Sequence, residues 1–460
     1  MTDAIAATDL LTRLDAAADA VLERQIRLLR DLIACQTVST PIPAESFTRE
    51  ASRAIDLVER ELTALGFASE RWLSGAGFPA LAATRTVAGK SPVIGFNGHL
   101  DVVPIESRDS WQQDPWGGEL AGSRLYGRGA CDAKGPLVAM VGALQLLRAA
   151  GVDSATDLLL HVVTDEEVAG PCTDACLERG RPDAVIVGEP SSLDVWIAEP
   201  GLEHVRVEID GLATHALNRW RSLPDAPGSE AGGVNAIDKA FLLATAVRDL
   251  ERAWTRDRHY PLLPDGFNTI NLGAIVGGKS GEAGEINAAA GPGSVPDRCA
   301  LEYNIWYYPG QSLADVRAAF EARVLEASAA DWWLAAHPPR FMWALRGLTN
   351  PPAETDPAHP LAAVLLASAR QIDPGASATA MQGAALLPWY TRQGIPGVIF
   401  GPGNVAQAHG VDEYLDVSNL RAATPALALA LADMRLKEVP RVARRCQETE
   451  RDVGIGRGKT

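Results

Sequence analysis

Six residues of two chemical kinds stand where short apolar runs of the chain break off: His99, Asp132, Glu166, Glu167, Glu189 and His409. Imidazoles mixed with carboxylates are ligands for divalent cations, Zn²⁺ first and Mn²⁺ or Co²⁺ as alternatives. Hydrolysing an amide at neutral pH needs a strong nucleophile and a stabilised oxyanion, and two cations about 3.5–4 Å apart supply both. Such a pair asks for a bridging carboxylate, a His and a carboxylate for each ion, and a free carboxylate as general base. Neighbouring Glu166 and Glu167 can diverge at a strand end, one reaching a metal and the other facing a substrate. Asp101, two residues past His99, is placed to accept the second ring N–H and fix the tautomer. Each element is ordinary alone; a His beside a strand or a Gly-x-Gly turn with an Asp occurs in many proteins. Their shared position at strand ends is what joins them.

The elements that must deliver these residues are legible as patterns. Leu10 to Ile33 and Ser46 to Leu65 place apolar residues at helical spacing. Four nearly all-apolar runs follow: Pro92–Asn97 into His99, Leu158–Val163 into Glu166, Ala184–Val187 into Glu189, and Gly397–Phe400 into Gly401. Helical stretches at Pro136–Ala150 and Leu361–Ile372 lie between them, which predicts an α/β fold with a buried, largely parallel sheet. In such sheets the site lies beyond the carboxyl ends of the strands. The middle of the chain reads differently, because Glu203–Asp210 alternates apolar and polar residues as a half-exposed antiparallel strand does. Helices near 235–253 and 313–327 and strands near 269–276, 300–307 and 340–345 complete a β-α-β-β-α-β order. We expect an α+β domain at 202–345 inserted into a catalytic domain made of 1–201 and 346–460, with a loose tail from Arg441.

Composition removes other classes. Against 42 Lys and Arg stand 58 Asp and Glu, a formal charge of −16, which disfavours nucleic-acid or anionic-membrane partners. No apolar run reaches the roughly 18 residues that a spanning helix needs. Met1–Leu11 carries no Lys or Arg, so no secretory signal is expected there. The six cysteines are scattered; Cys172 and Cys176 lack a second Cys or His pair and are not read as a zinc site. A reduced, cytoplasmic setting is expected.

The stretches Gly98-His-Leu-Asp-Val-Val-Pro104, Gly127-Arg-Gly-Ala-Cys-Asp-Ala-Lys-Gly135, Thr164-Asp-Glu-Glu-Val-Ala-Gly170, Gly188-Glu-Pro-Ser191 and Ala408-His-Gly-Val-Asp-Glu-Tyr414 resemble the dinuclear metallopeptidase and deacylase superfamily of acetylornithine deacetylase, succinyl-diaminopimelate desuccinylase and carboxypeptidase G. The resemblance runs from about residue 20 to 435. It implies that Asp132 bridges two metals, that His99 and Glu189 complete one site and Glu167 and His409 the other, and that Glu166 is the general base. It also implies a cis peptide after Asp132.

Gly211-Leu-Ala-Thr-His215-Ala and Gly233-Val-Asn-Ala-Ile237 resemble the family's lid or dimerisation domain, which implies a homodimer in which His215 stabilises the oxyanion in the partner's site. Two stretches depart from the pattern. Asn304-Ile-Trp306 stands where the family reads Asp-x-Arg, and Gly383-Ala-Ala-Leu386 where it reads Gly-Thr-Asp-Ala. Trp306 cannot hold a substrate carboxylate as an Arg does. Trp306, Trp343 and Trp389 fall near expected pocket segments. The expectation is a metal-dependent hydrolase cleaving an amide or related C–N bond of a small molecule: an N-acyl amino acid, a peptide or an aryl amide. The alternatives are hydrolytic deamination of an aromatic or heterocyclic amine in the same site, and a non-catalytic metal- or ligand-binding homologue.

Overall fold

The computed structural model describes residues 7–87, 92–168, 170, 172–222, 232–281, 285–347 and 349–442. The chain opens with two amphipathic helices, α1 (Ala7–Ile33) and α2 (Glu45–Ala64). Strands β1 (Ala68–Leu73), β2 (Pro79–Arg85) and β3 (Val93–His99) lead to helix α3 (Lys134–Ala149), then to β4 (Asp157–Val163), β5 (Ala184–Val187) and β6 (Val195–Glu199). The inserted α+β domain supplies β7 (Gly201–Asp210), α4 (Ala236–Asp257), β8 (Ile270–Ser280), β9 (Arg298–Tyr307), α5 (Leu313–Ala329) and β10 (Arg340–Trp343). The chain then returns through β11 (Thr349–Asn350), β12 (Ala353–Glu354), α6 (Pro360–Ile372), β13 (Ala378–Ala380), β14 (Gly397–Ile399) and α7 (Val417–Ala432).

The large sheet runs β1-β2-β4-β3-β5-β14-β6-β12, with β13 also paired to β6. It is parallel at its centre, where β4, β3, β5 and β14 lie side by side, and antiparallel toward its edges. The apolar runs of the sequence are those central strands. They read as continuous rather than alternating because helices cover both faces. Helix α3 is buried from Lys134 to Leu147, so it is apolar all round rather than amphipathic. It packs with α1 and α7 through Leu29, Leu137, Val141 and Leu427. On the other face Val185, Trp196, Leu387 and Tyr390 form a second cluster. Each such large side chain, once buried, contributes about 1.5–3 kcal/mol.

The middle of the chain builds a second sheet. This antiparallel sheet runs from a short edge strand (Ile286–Asn287) through β8-β9-β7 to β10, and short β11 extends it on β7. Strand β7 alternates buried and half-buried residues along its whole length, with Val205, Val207 and Ile209 facing α4 and α5. The strand expected to reach Leu345 stops at Trp343, because Ala344 takes a left-handed backbone at φ 54°. Most of the expected loose tail, 443–460, lies outside the described residues. Among the described residues no helix is long and apolar enough to cross a membrane.

Candidate metal centre

Parallel register brings the site together. His99 ends β3 opposite Val163 of β4, and Asn97 lies opposite Val187 of β5. Glu166 and Glu167 follow β4 on a single 3-10 turn, and Glu189 follows β5 by two residues, so all four emerge at the same edge. Gly98 lets α3 pack closely there: a Cβ on it would sit 2.9 Å from the Leu137 side chain. Asp132 lies just before α3, and its peptide to Ala133 is cis. His409 comes from the far end of the chain on a left-handed residue, φ 61°.

Asp132 stands between the two histidines with one oxygen toward each. Its Oδ1 is 3.3 Å from His99 Nε2 and its Oδ2 is 3.3 Å from His409 Nε2. Glu189 Oε1 lies 3.7 Å from His99 Nε2, and Glu167 Oε2 lies 3.2 Å from His409 Nε2. Potential ligand atoms therefore gather as His99, Asp132 and Glu189 on one side and as Asp132, Glu167 and His409 on the other, each within 4.8 Å. Glu166 joins His99 and Glu167 in a third such group. The two sides differ in exposure: the His99 side chain is 1% exposed and that of His409 53%.

The donor set fits divalent cations. Glu189 Oε1 and His99 Nε2 are buried without an aligned hydrogen-bond partner. No Lys or Arg forms an ion pair with Asp132, Glu166, Glu167 or Glu189 among the described residues. Four carboxylates drawn together with only two histidines beside them call for positive charge. Burial pushes Glu166 and Glu189 well above the usual carboxylate range. Hydrogen bonds to Asp132 and Glu167 push His409 up to about 10. Burial would raise Asp132 too, but its partners His409 and His99 hold it below its ordinary value.

Asp101 does more than the sequence suggests. Its backbone oxygen is 3.1 Å from His99 Nδ1, with the carboxylate at 3.5 Å. That carboxylate accepts the N–H groups of Glu166, at 3.2 Å, and Glu167, at 3.0 Å. Asp101 thus meets the imidazole chiefly through its backbone oxygen and holds the glutamate turn through its buried side chain.

Arg128 and Glu413 were not singled out by sequence reasoning, although both sit inside the quoted stretches. Glu413 Oε1 accepts from the N–H groups of Gly129, Cys131 and Asp132 at 2.9–3.1 Å, and its Oε2 pairs with Arg128 at 2.6 Å. Arg128 also donates to the carbonyls of His409 and Gly410. Only tertiary structure reveals this, because the partners lie far apart in sequence.

Other expected site residues fall elsewhere. His215 is exposed in the inserted domain, its Nδ1 accepting the Leu217 N–H, and it joins none of the ligand clusters among the described residues. Trp343 packs against Phe320 within the inserted domain, Trp306 meets Phe267 edge-on, and Asn304 bonds His204. The second departing stretch does reach the site. Ala384, Ala385 and Leu386 line a cavity of about 160 Å³ together with Glu166, Glu167, Leu202, Thr349, Asn350 and Trp389.

Comparison with known proteins places this arrangement. Residues 95–433 match the model of peptidase family M20/M25/M40. The chain is 31% identical over 416 residues to the N-formyl-4-amino-5-aminomethyl-2-methylpyrimidine deformylase of Bacillus subtilis (strain 168), covering 86% of this chain and 91% of that one. It is 30% identical over 336 residues to the enzyme of the same name from Halalkalibacterium halodurans, covering 70% and 75%. An M20 family metallo-carboxypeptidase from Sulfolobus solfataricus shares the fold with a TM-score of 0.63 at 17% identity, covering 90% of this chain and 99% of that one. The chain belongs to peptidase family M20/M25/M40 and is a metal-dependent hydrolase acting on amide bonds.

Proposed function

We propose that this hydrolase removes a small acyl group, a formyl group in the first instance, from a neutral amine that carries an aromatic ring. The observation that carries this reading is the cavity beside Glu166 and Glu167. Its lining is apolar or neutral apart from those two glutamates, and it contains no Lys or Arg. A substrate carboxylate would find no partner there. Trp306, at the place where an Arg is expected, points the same way, and so does the carboxylate-free substrate in the names of the deformylase relatives.

Two divalent cations are held in this reading by His99, Asp132 and Glu189 and by Asp132, Glu167 and His409, a set suited to Zn²⁺. When bound, they supply Lewis acidity and water activation at neutral pH. Glu166 takes the proton of the attacking water and delivers it to the leaving nitrogen. Asp101 holds Glu166 in place through the backbone and orients His99. We read 202–345 as a dimerisation domain and His215 as an oxyanion donor to the partner's site; its exposure and its absence from the ligand clusters among the described residues support this. The five free, buried thiols among the described residues fit a reducing cytoplasm.

The test is hydrolysis of N-formylarylmethylamines against N-formyl amino acids by metal-stripped and metal-restored protein. The neutral formamides should be cleaved only after metal is restored, with formate released. On probes that also carry a ring amino group, ammonia without formate would favour the deaminase reading. Full activity in Glu166→Ala would overturn the assigned base. Mixing inactive Glu166→Ala with inactive His215→Ala should restore activity if His215 acts across the dimer, and no recovery would place its role within its own chain.

A further inference from the structure

Glu199 closes strand β6 and is wholly buried. Its Oε1 accepts from Asn350 Nδ2 at 2.8 Å and from the Ala385 N–H at 2.6 Å. Burial pushes this acid well above the carboxylate range. Both of its partners line the cavity next to Glu166 and Glu167. Because the Asn350 amide N–H is committed to Glu199, its Oδ1 is fixed in orientation, and that oxygen is buried and unpartnered. A buried acceptor without a donor is costly and discriminates strongly between ligands that fill it and ligands that do not. Apart from Glu166 and Glu167, which the proposed chemistry engages, the other side chains of the wall are poorer acceptors. The Thr349 hydroxyl donates to Glu203, and Leu202, Ala384, Leu386 and Trp389 are apolar or aromatic.

We propose that Asn350, oriented by Glu199, is the specificity-determining residue for the amine half of the substrate, its Oδ1 accepting from a neutral donor such as an aromatic amino group. Asn350 touches the ligand; Glu199 is a positioning residue that also ties the Ala384–Leu386 stretch to the same wall. The proposal rests on the deacylase reading for its catalytic consequence, but not for binding.

Two probes that differ by a single aromatic amino group test it: N-formylbenzylamine and N-formyl-2-aminobenzylamine. The metal-loaded enzyme should favour the second in kcat/KM by about three- to tenfold, the worth of one net hydrogen bond. Asn350→Leu should bring that ratio to one. Glu199→Gln, which keeps an acceptor for Asn350 and Ala385, should retain the preference, whereas Glu199→Leu should lose it. These two variants carry the test if Asn350→Leu does not fold. Equal rates in the wild type, or a ratio unmoved in Asn350→Leu and Glu199→Leu, would overturn the proposal. If neither formamide is cleaved, the deacylase reading fails for this substrate class. Calorimetric binding of 2-aminobenzylamine against benzylamine then decides the role of Asn350 by the same ratio, and equal affinities would overturn it.

Discussion

Arg128 and Glu413, 285 positions apart, form a buried ion pair at 2.6 Å that fastens the Asp132 loop to the His409 loop. Removing one partner leaves the other charged and buried, which costs about 3–5 kcal/mol. Glu413→Ala should lower the unfolding free energy by about that amount in urea titration. It should also lose metal, since three N–H groups around Asp132 are released together. Normal metal content in a correctly folded Glu413→Ala would show that the loop holds itself.

Asp101 acts through geometry rather than contact with substrate. Asp101→Asn replaces one acceptor by a donor facing the Glu166 or Glu167 N–H. The expected loss is about 10–100-fold in activity or metal affinity, with a stability cost of about 1–3 kcal/mol for the unpaired buried donors. A kcat/KM within twofold of wild type would remove Asp101 from the site.

Asp132 is the residue that both ligand groups share. Zinc should raise the unfolding midpoint of the wild type, since a ligand at a hundred times its Kd adds about 2.7 kcal/mol to the native state. Asp132→Asn should abolish most of that rise, whereas Glu189→Gln should leave part of it. Scanning calorimetry with and without chelator reads the difference. Equal shifts in Asp132→Asn and wild type would exclude a shared ligand.

A pH effect arises away from the cluster. Burial pushes His161 down to about 3, where its Nδ1 faces the Tyr390 hydroxyl at 2.8 Å. In the unfolded chain the ring titrates near 6.5. Between those values the unfolded state holds the extra proton, so stability falls as pH drops from 6.5 toward 3. The slope is about 1.4 kcal/mol per pH unit. His161→Gln, compared with wild type in chelator-stripped protein at pH 6 and pH 4, should lose less stability over that interval. Parallel losses would mean that the histidine is protonated in the fold.

The central strands and both long helices of the catalytic domain were legible because burial on two faces leaves continuous apolar runs, and strand ends then mark the site. His99, Asp132, Glu167, Glu189 and His409 could be singled out because each is a ligand type at such an end or in a loop beyond it, inside a stretch that resembles the family. Glu199 could not. It ends a run, Val195–Glu199, whose outer neighbours come from residues 353–380 and 397–399, and nothing local marks its carboxyl as facing a wall. Asn350 and Glu413 were hidden for the same reason: their meaning lies in partners far along the chain. Trp343, near an expected pocket segment, packs instead in the inserted domain's own core, the ordinary place for a large aromatic.

Strand β14 has a bearing on biosynthesis. It lies between β5 and β6, yet the ribosome makes it some two hundred residues after both. Until it arrives, β5 and β6 present open hydrogen-bonding edges to the cell, the condition that invites pairing between nascent chains. The inserted domain, whose sheet is built almost wholly from residues 201–343, can fold during that interval. Truncation before residue 397 should therefore yield a folded inserted domain carried by an aggregation-prone remainder, and the metal centre would be the last part of the molecule to form.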